Sequence, residues 1–371
     1  MPGWHEKTKS LQDSGRLQLV GIVEEQHSDR TRLFMQWKNM EWPLLLDSMN
    51  LLGVKAVPLT YLVDEHGVVR YERPTDADLE AFLESDYPPV EARPAVLRAE
   101  AGSAEHLLLW RGESALDEAI ERLAGRSPSM SQSFRLGVAY RSRYDSGRRR
   151  DGDFARAVES WARALELDPN QYIVRRRIQQ YGPRLDKPYP FYDWVLEARR
   201  TIASRGETPV PLSIEPAGAE YAEPVERFEK AKEPLAEPDP GGRILRDEKP
   251  LIRIETVTVP PKVAPGETAR VHVVMRPDSS VKAHWNNEVD DLLVWVSPVE
   301  AFGVDQCLHR IAVPPEAVSQ EVRRVEFEVE TPTGFSGTTR IPAYALYYVC
   351  EDVNGTCLYR RQDIEVSLRA R

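Results

Sequence analysis

Two of the chain's three cysteines flank an Asn-Gly pair in the stretch Leu346 to Tyr359, Leu-Tyr-Tyr-Val-Cys-Glu-Asp-Val-Asn-Gly-Thr-Cys-Leu-Tyr. An Asn-Gly pair between strand-forming residues marks a hairpin, because both central residues of a type I′ turn need positive φ. Cys350 and Cys357 are therefore neighbours in space whatever the rest of the chain does. With Asn354 and Gly355 alone as the turn, Cys357 faces Asp352, and Cys350 lies diagonally from it on the same face, about 7 Å away. A disulfide wants Cβ atoms about 3.5–4.5 Å apart. A wider loop or a bulge would close the gap and leave a strained, reducible bond. The alternative is two unpaired, half-buried strand thiols, since free cysteine is commonly buried.

The hairpin sits at the end of a run of strand-like segments: Leu251 to Val259, Ala269 to Arg276, Asp291 to Val296, Glu321 to Glu330, Ala343 to Cys350 and Cys357 to Leu368. Each alternates Val, Ile or Tyr with polar residues at period 2, and spaced strands with intervening turns indicate a β-sandwich. The segment Ala343 to Val366, with Tyr347, Tyr348, Cys350, Gly355, Cys357 and Tyr359, resembles the cysteine hairpin of the periplasmic N-terminal domain of DsbD-type thiol:disulfide interchange proteins. The turn at Pro265-Gly266 and the stretch Ala283-His284-Trp285-Asn286-Asn287-Glu288 fit the same pattern. The resemblance implies an immunoglobulin-like β-sandwich over residues 251–371, with Cys350 and Cys357 as a redox pair and Tyr348 and Tyr359 on the binding surface beside them. The cysteine spacing differs from the family's, and Arg360-Arg361 stand where it usually has prolines.

At the other end of the chain, Arg16 to Val23 reads as a buried strand and Arg30 to Lys38 as a helix with Leu33, Phe34 and Trp37 on one face. Trp42 to Leu46 is a short apolar run, and Gly53 to Asp64 leads through the turn Glu65-His66-Gly67 into a strand from Val68. Strand, helix, strand, strand is an α/β unit. Val57-Pro58-Leu59-Thr60 matches the Val-Pro-x-Thr signature of the thioredoxin-like redoxins, in which a cis proline shapes the partner-facing surface. The resemblance implies a thioredoxin-like domain over residues 1–92, with Val57, Pro58 and Thr60 on a binding surface. Met1-Pro2-Gly3-Trp4-His5 falls where that family has Cys-Pro-Gly-Cys-His, so the first strand and both catalytic cysteines are missing here. Without a low-pKa thiolate at a helix N-terminus this domain has no nucleophile of its own.

Between these ends, Ala77 to Ser85 and Ala115 to Leu123 are expected helices. Leu136, Gly137, Tyr140, Ala157, Trp161, Ala164 and Pro169 follow the small-residue and aromatic pattern of a tetratricopeptide repeat. Residues 93–206 thus read as a helical segment, with Gln171 to Tyr181 and Phe191 to Ser204 as capping helices. One repeat cannot bury its own face, so it serves as a spacer packed on its neighbours or as a groove for peptide docking. Residues 207–250 hold eight prolines among many Glu and Lys and read as a linker. The fold class expected is multidomain: an α/β domain, an α segment and an all-β sandwich.

Composition excludes more than it assigns. A formal charge of -10 over 371 residues argues against nucleic acid as a partner, because backbone binding needs a basic face. No apolar run approaches the roughly 18 residues a membrane-crossing helix needs. The polar stretch Met1 to Gly15 has no signal-peptide pattern, although the resemblances imply a periplasmic or secreted setting. Cys307 and His309 stand at alternate positions with no second ligand pair, so no metal or other cofactor is expected. The expected function is thiol:disulfide exchange or redox relay through Cys350 and Cys357, an oxidoreductase activity toward protein partners bearing thiols or disulfides. The alternative is a non-catalytic adaptor that binds or assembles proteins through the redoxin-like and helical parts.

Overall fold

The computed structural model describes residues 2–89, 102–231, 236–351 and 355–371. They form two compact units: Met1–Gly147, Arg163–Arg175 and Trp194–Ile214 make the first, and Arg148–Ala162, Arg176–Asp193 and Glu215–Arg371 the second.

The first unit opens with α1 (Pro2–Asp13), β1 (Gly21–Val23), α2 (Ser28–Trp37), β2 (Leu44–Leu46), β3 (Tyr61–Val63), β4 (Val69–Glu72) and α3 (Asp76–Glu84). β1 and β2 pair in parallel, while β3 and β4 form an antiparallel hairpin. Its turn is built by Asp64, whose Oδ1 accepts from the backbone N–H of His66 and of Val68, both at 2.9 Å, with Gly67 at φ 82°. A left-handed residue there is why glycine is needed. Thr75 and Asp78 cap α3 reciprocally, satisfying N–H groups that the helix itself leaves free. The strand expected from Arg16 is regular only over its last three residues.

Helices α4 (Ala104–Trp110), α5 (Leu116–Ala124) and α6 (Met130–Tyr144) follow, then α7 (Asp153–Leu167), α8 (Tyr172–Gln179) and α9 (Trp194–Ser204). Leu116, Ala119, Ile120 and Leu123 recur at helical spacing and are the buried face of α5. In the first unit α9 packs on α2, with Trp194 stacked on Trp37 and edge-on to Phe34 at ring distances of 5.9 and 5.2 Å. Residues 153–162 of α7 and 176–179 of α8 are part of the second unit.

The second unit is mainly antiparallel sheet. Its strands are β5 (Ile252–Val259), β6 (Thr268–Pro277), β7 (His284–Asn286), β8 (Leu292–Val296), β9 (Gly303–Val304), β10 (Leu308–Ile311), β11 (Val318–Ser319), β12 (Arg323–Glu330), β13 (Thr338–Cys350) and β14 (Cys357–Arg369). One sheet has the order β5-β6-β12-β9; the other runs β10-β8-β13-β7-β11, with β14 on the opposite edge of β13. Val271, Val273 and Met275 of β6 and Phe327 and Val329 of β12 share a core with Trp285, Val294, Val296, Val349, Val366 and Leu368 of the second sheet. Period-2 alternation supplies those inward residues. Along one side the sheets are joined by side chains: Thr256 Oγ1 and Thr258 Oγ1 on β5 donate to the Glu365 and Ser367 carbonyls of β14.

Both outer faces are partly covered. On the β6–β12 face, Arg270 bridges Glu326 and Glu328, and His272 lies between Glu326 and the Tyr181 carbonyl at 3.1 and 2.8 Å. Phe154 and Trp161 of α7 pack against Tyr181 above them. Gly218, at φ 50°, lies so close to the Glu326 carboxylate that a Cβ would overlap it. On the β13–β14 face, the irregular stretch around Asp239 to Asp247 is laid across the strands by the contacts described next. No helix of the described residues is long and apolar enough to cross a membrane.

Candidate functional site

Cys350 ends β13, Cys357 begins β14, and the two are joined by a disulfide with Cα atoms 4.0 Å apart. They are directly opposed in the register, as are Tyr348 and Tyr359 two rungs before them. This corrects the expected diagonal placement. Six residues, not two, connect the paired cysteines, and the Glu351 N–H to Thr356 carbonyl contact at 3.4 Å brackets the rung from outside. That bond places the cysteines at a non-hydrogen-bonded pair, the kind whose Cα atoms approach most closely, about 4.5 Å. The expected turn residue Asn354 lies outside the described residues. A shift of two residues leaves every side chain on its face, so alternation could not reveal it.

The two sulfur-bearing residues differ in access. Cys350 is 2% exposed, whereas Cys357 is exposed. The ladder beneath them is long, thirteen paired residues from Thr338↔Arg369 to Cys350↔Cys357. Tyr348 and Tyr359 form a tilted ring pair at 4.4 Å on the cysteine face. Burial raises the Tyr359 hydroxyl pKa, with Tyr348 adding to it. On the core face, Tyr347 sets its ring edge-on to Trp285 at 5.8 Å and donates to Gln362 Oε1 at 2.7 Å. On its other edge β13 is held by β7, where Cys350 opposes His284 and Val349 opposes Trp285.

Further along the strands the surface is closed. Arg361 stacks on the Tyr344 ring at 3.6 Å and donates to the Asp239 carbonyl and carboxylate, both at 2.9 Å. The Tyr344 hydroxyl accepts from the Asp239 N–H at 3.0 Å and bonds Glu237 at 3.2 Å. Burial and the Glu237 charge push its pKa up to about 12. Arg360 Nε meets Asp247 at 2.5 Å. Arg360 and Arg361 are thus the anchors of this cover. Nothing in the local sequence signals that pairing, since each partner lies more than a hundred residues away.

The other sequence-derived site residues lie in the first unit. Val57 and Pro58 are exposed, Thr60 is half-buried, and the Val57–Pro58 peptide is cis. A second cis bond, Val259–Pro260, was not anticipated. Cys307 is a buried free thiol whose pKa is raised by burial and by Asp305. His309 points Nε2 at the Gln306 carbonyl, 3.0 Å away, and burial lowers its pKa. Among the described residues no group of three or more His, Cys, Asp or Glu is arranged to hold a metal.

No family model matches the chain, and no curated protein matches it. Solved structures give partial likenesses. A protein of unknown function from Porphyromonas gingivalis W83 aligns at 17% identity and TM-score 0.21, covering 33% of this chain and 48% of that one. WR4, an MSP family member of C. elegans, aligns at 12% and 0.18, covering 32% and 97%. A PapD-like domain of human CEP192 aligns at 11% and 0.16, covering 39% and 98%. Likenesses at this level assign neither fold family nor role.

Proposed function

We propose that this chain is a thiol:disulfide exchange protein whose working pair is Cys350 and Cys357. One observation carries the reading: a cystine at the turn end of a long hairpin, with one cysteine buried and its partner exposed. Exchange proceeds by in-line attack of a thiolate on an accessible sulfur, so a half-exposed cystine on a rigid ladder offers one point of attack. In this reading residues 251–371 are an immunoglobulin-like sandwich similar to the N-terminal domain of DsbD-type interchange proteins, and residues 1–92 a thioredoxin-like module. Residues 93–206 act as a tetratricopeptide-like helical spacer, and 207–250 as a connection. Tyr348 and Tyr359 flank the partner's approach to the sulfur. Val57, Pro58 and Thr60 present a second protein-binding surface.

A second reading, a binding adaptor, is favoured for the first unit alone: all three cysteines lie at or beyond Cys307, so that unit has no thiol with which to react. The test is alkylation of the full chain under denaturing conditions, before and after reduction, followed by incubation with a reduced dithiol protein. One label before reduction, three after, and transfer of oxidation to the dithiol protein are expected. Three labels before reduction, after mild oxidation, would sink the exchange reading.

A further inference from the structure

Three side chains form one transverse row on the sheet. β13 opposes Cys350 to Cys357 on one edge and to His284 on the other. Directly opposed residues share a face, with Cβ atoms roughly 4.5–5.5 Å apart. Trp285, the next residue of β7, is fully buried in the core, which leaves His284 half-buried on the outer face with the cystine. Among the described residues its Nδ1 has the Lys282 carbonyl at 3.4 Å, and its Nε2 makes no hydrogen bond.

When a thiolate attacks the exposed Cys357 sulfur, the S–S bond breaks and its electron pair departs on the Cys350 sulfur. That sulfur is shielded from water, and burial disfavours a thiolate. We infer that His284, as imidazolium, delivers its proton to the departing Cys350 sulfur. The products are a mixed disulfide at Cys357, a neutral Cys350 thiol and a neutral imidazole. In the reverse direction His284 takes that proton back, and the Cys350 thiolate expels the partner. This rests on the exchange reading above. Among the described residues, the ionisable groups on the elements around β7 include Tyr348 and Glu351 at the end of β13, Tyr359 on β14, Glu321 just past β11 and Arg323, which lies over the Trp285 ring. Lys282 and Glu288 stand on the segment of His284 itself.

The experiment is reduction of the full-length oxidised chain by dithiothreitol from about pH 5.5 to 9. Released thiols are trapped and counted by mass, and each rate is divided by the dithiothreitol thiolate concentration. For the parent chain the normalised rate should fall as pH rises. In His284→Gln that fall should vanish, with the low-pH rate down about tenfold or more and the high-pH rate unchanged. His284→Asn provides a second version, and both are compared at matched melting temperature. Superimposable profiles for parent and variants would overturn the proposal, and so would a chain with no Cys350–Cys357 bond to reduce. A His284-dependent profile without oxidation of a protein dithiol would uphold the proton transfer and overturn the relay.

Discussion

The outer faces of the two sheets in the second unit are finished in opposite ways. The β6–β12 face carries the buried Arg270, His272 and Glu328 and the half-buried Glu326, paired with one another under a covering segment. The β13–β14 face is covered around Tyr344, Arg360 and Arg361, while Cys357 at its far end is exposed. Where chain lies over sheet, the contacts are charge pairs whose loss strands a buried charge. Where the sheet is left open, the contact is a covalent bond that closes a short loop. The first arrangement serves stability; the second leaves a reactive group accessible at small structural cost.

Breaking the ion cluster should have the largest effect. Arg270→Ala leaves the half-buried Glu326 and the buried Glu328 without their shared partner, and removing one member of a buried pair typically costs about 3–5 kcal/mol. Chemical denaturation should show that loss in the unfolding transition of the second unit. Acid attacks the same cluster: burial works to raise the Glu326 pKa, but the charges of His272 and Arg270 overcome it and hold it at about 2. A depressed carboxyl stabilises the fold above its unfolded pKa and loses that contribution as pH falls toward the folded value. Melting followed downward from pH 4.5 to 2 should therefore drop more steeply in the parent than in Glu326→Gln.

The open end should behave differently. Replacing both Cys350 and Cys357 by Ala should lower stability by no more than about 2.5 kcal/mol, because short loops gain little from closure. All exchange with a dithiol protein should disappear at the same time. A larger loss of stability, with no exchange in the parent, would make the bond a structural staple and erase the contrast between the faces. Arg361→Ala should cost about 1–2 kcal/mol. It should also speed amide exchange and proteolysis around Asp239 while leaving the ion cluster intact. The smallest effect is expected at the seam between the sheets, where Thr256→Val removes one partly exposed hydrogen bond and should cost about 0.5–1 kcal/mol.

Local chemistry was legible where one short segment decides the outcome. The Asp64–Gly67 turn, α3, the long strands and the nearness of Cys350 to Cys357 all follow from residues within a few positions of one another. Register was not legible, because a two-residue slide of β14 along β13 keeps inward residues inward and only the packed sheet selects one pairing. The ion cluster was hidden for a related reason. Arg270, His272, Glu326 and Glu328 alternate with apolar residues as a solvent-facing edge would, and the segments that cover them arrive from residues 148–162 and 176–193. His284 is adjacent to Cys350 only because β7 returns beside β13, across a separation in sequence that no spacing rule spans.

The length of the β13–β14 ladder has one more consequence. The cystine is its terminal rung, so opening it should leave the remaining pairs from Thr338↔Arg369 to Val349↔Leu358 in place. Oxidised and reduced chains should then have nearly the same shape, and the difference between them is confined to two sulfur atoms. On the proposed exchange reading, the chain would store its state in chemistry and not in conformation. A partner reading that state would then have to touch the sulfur.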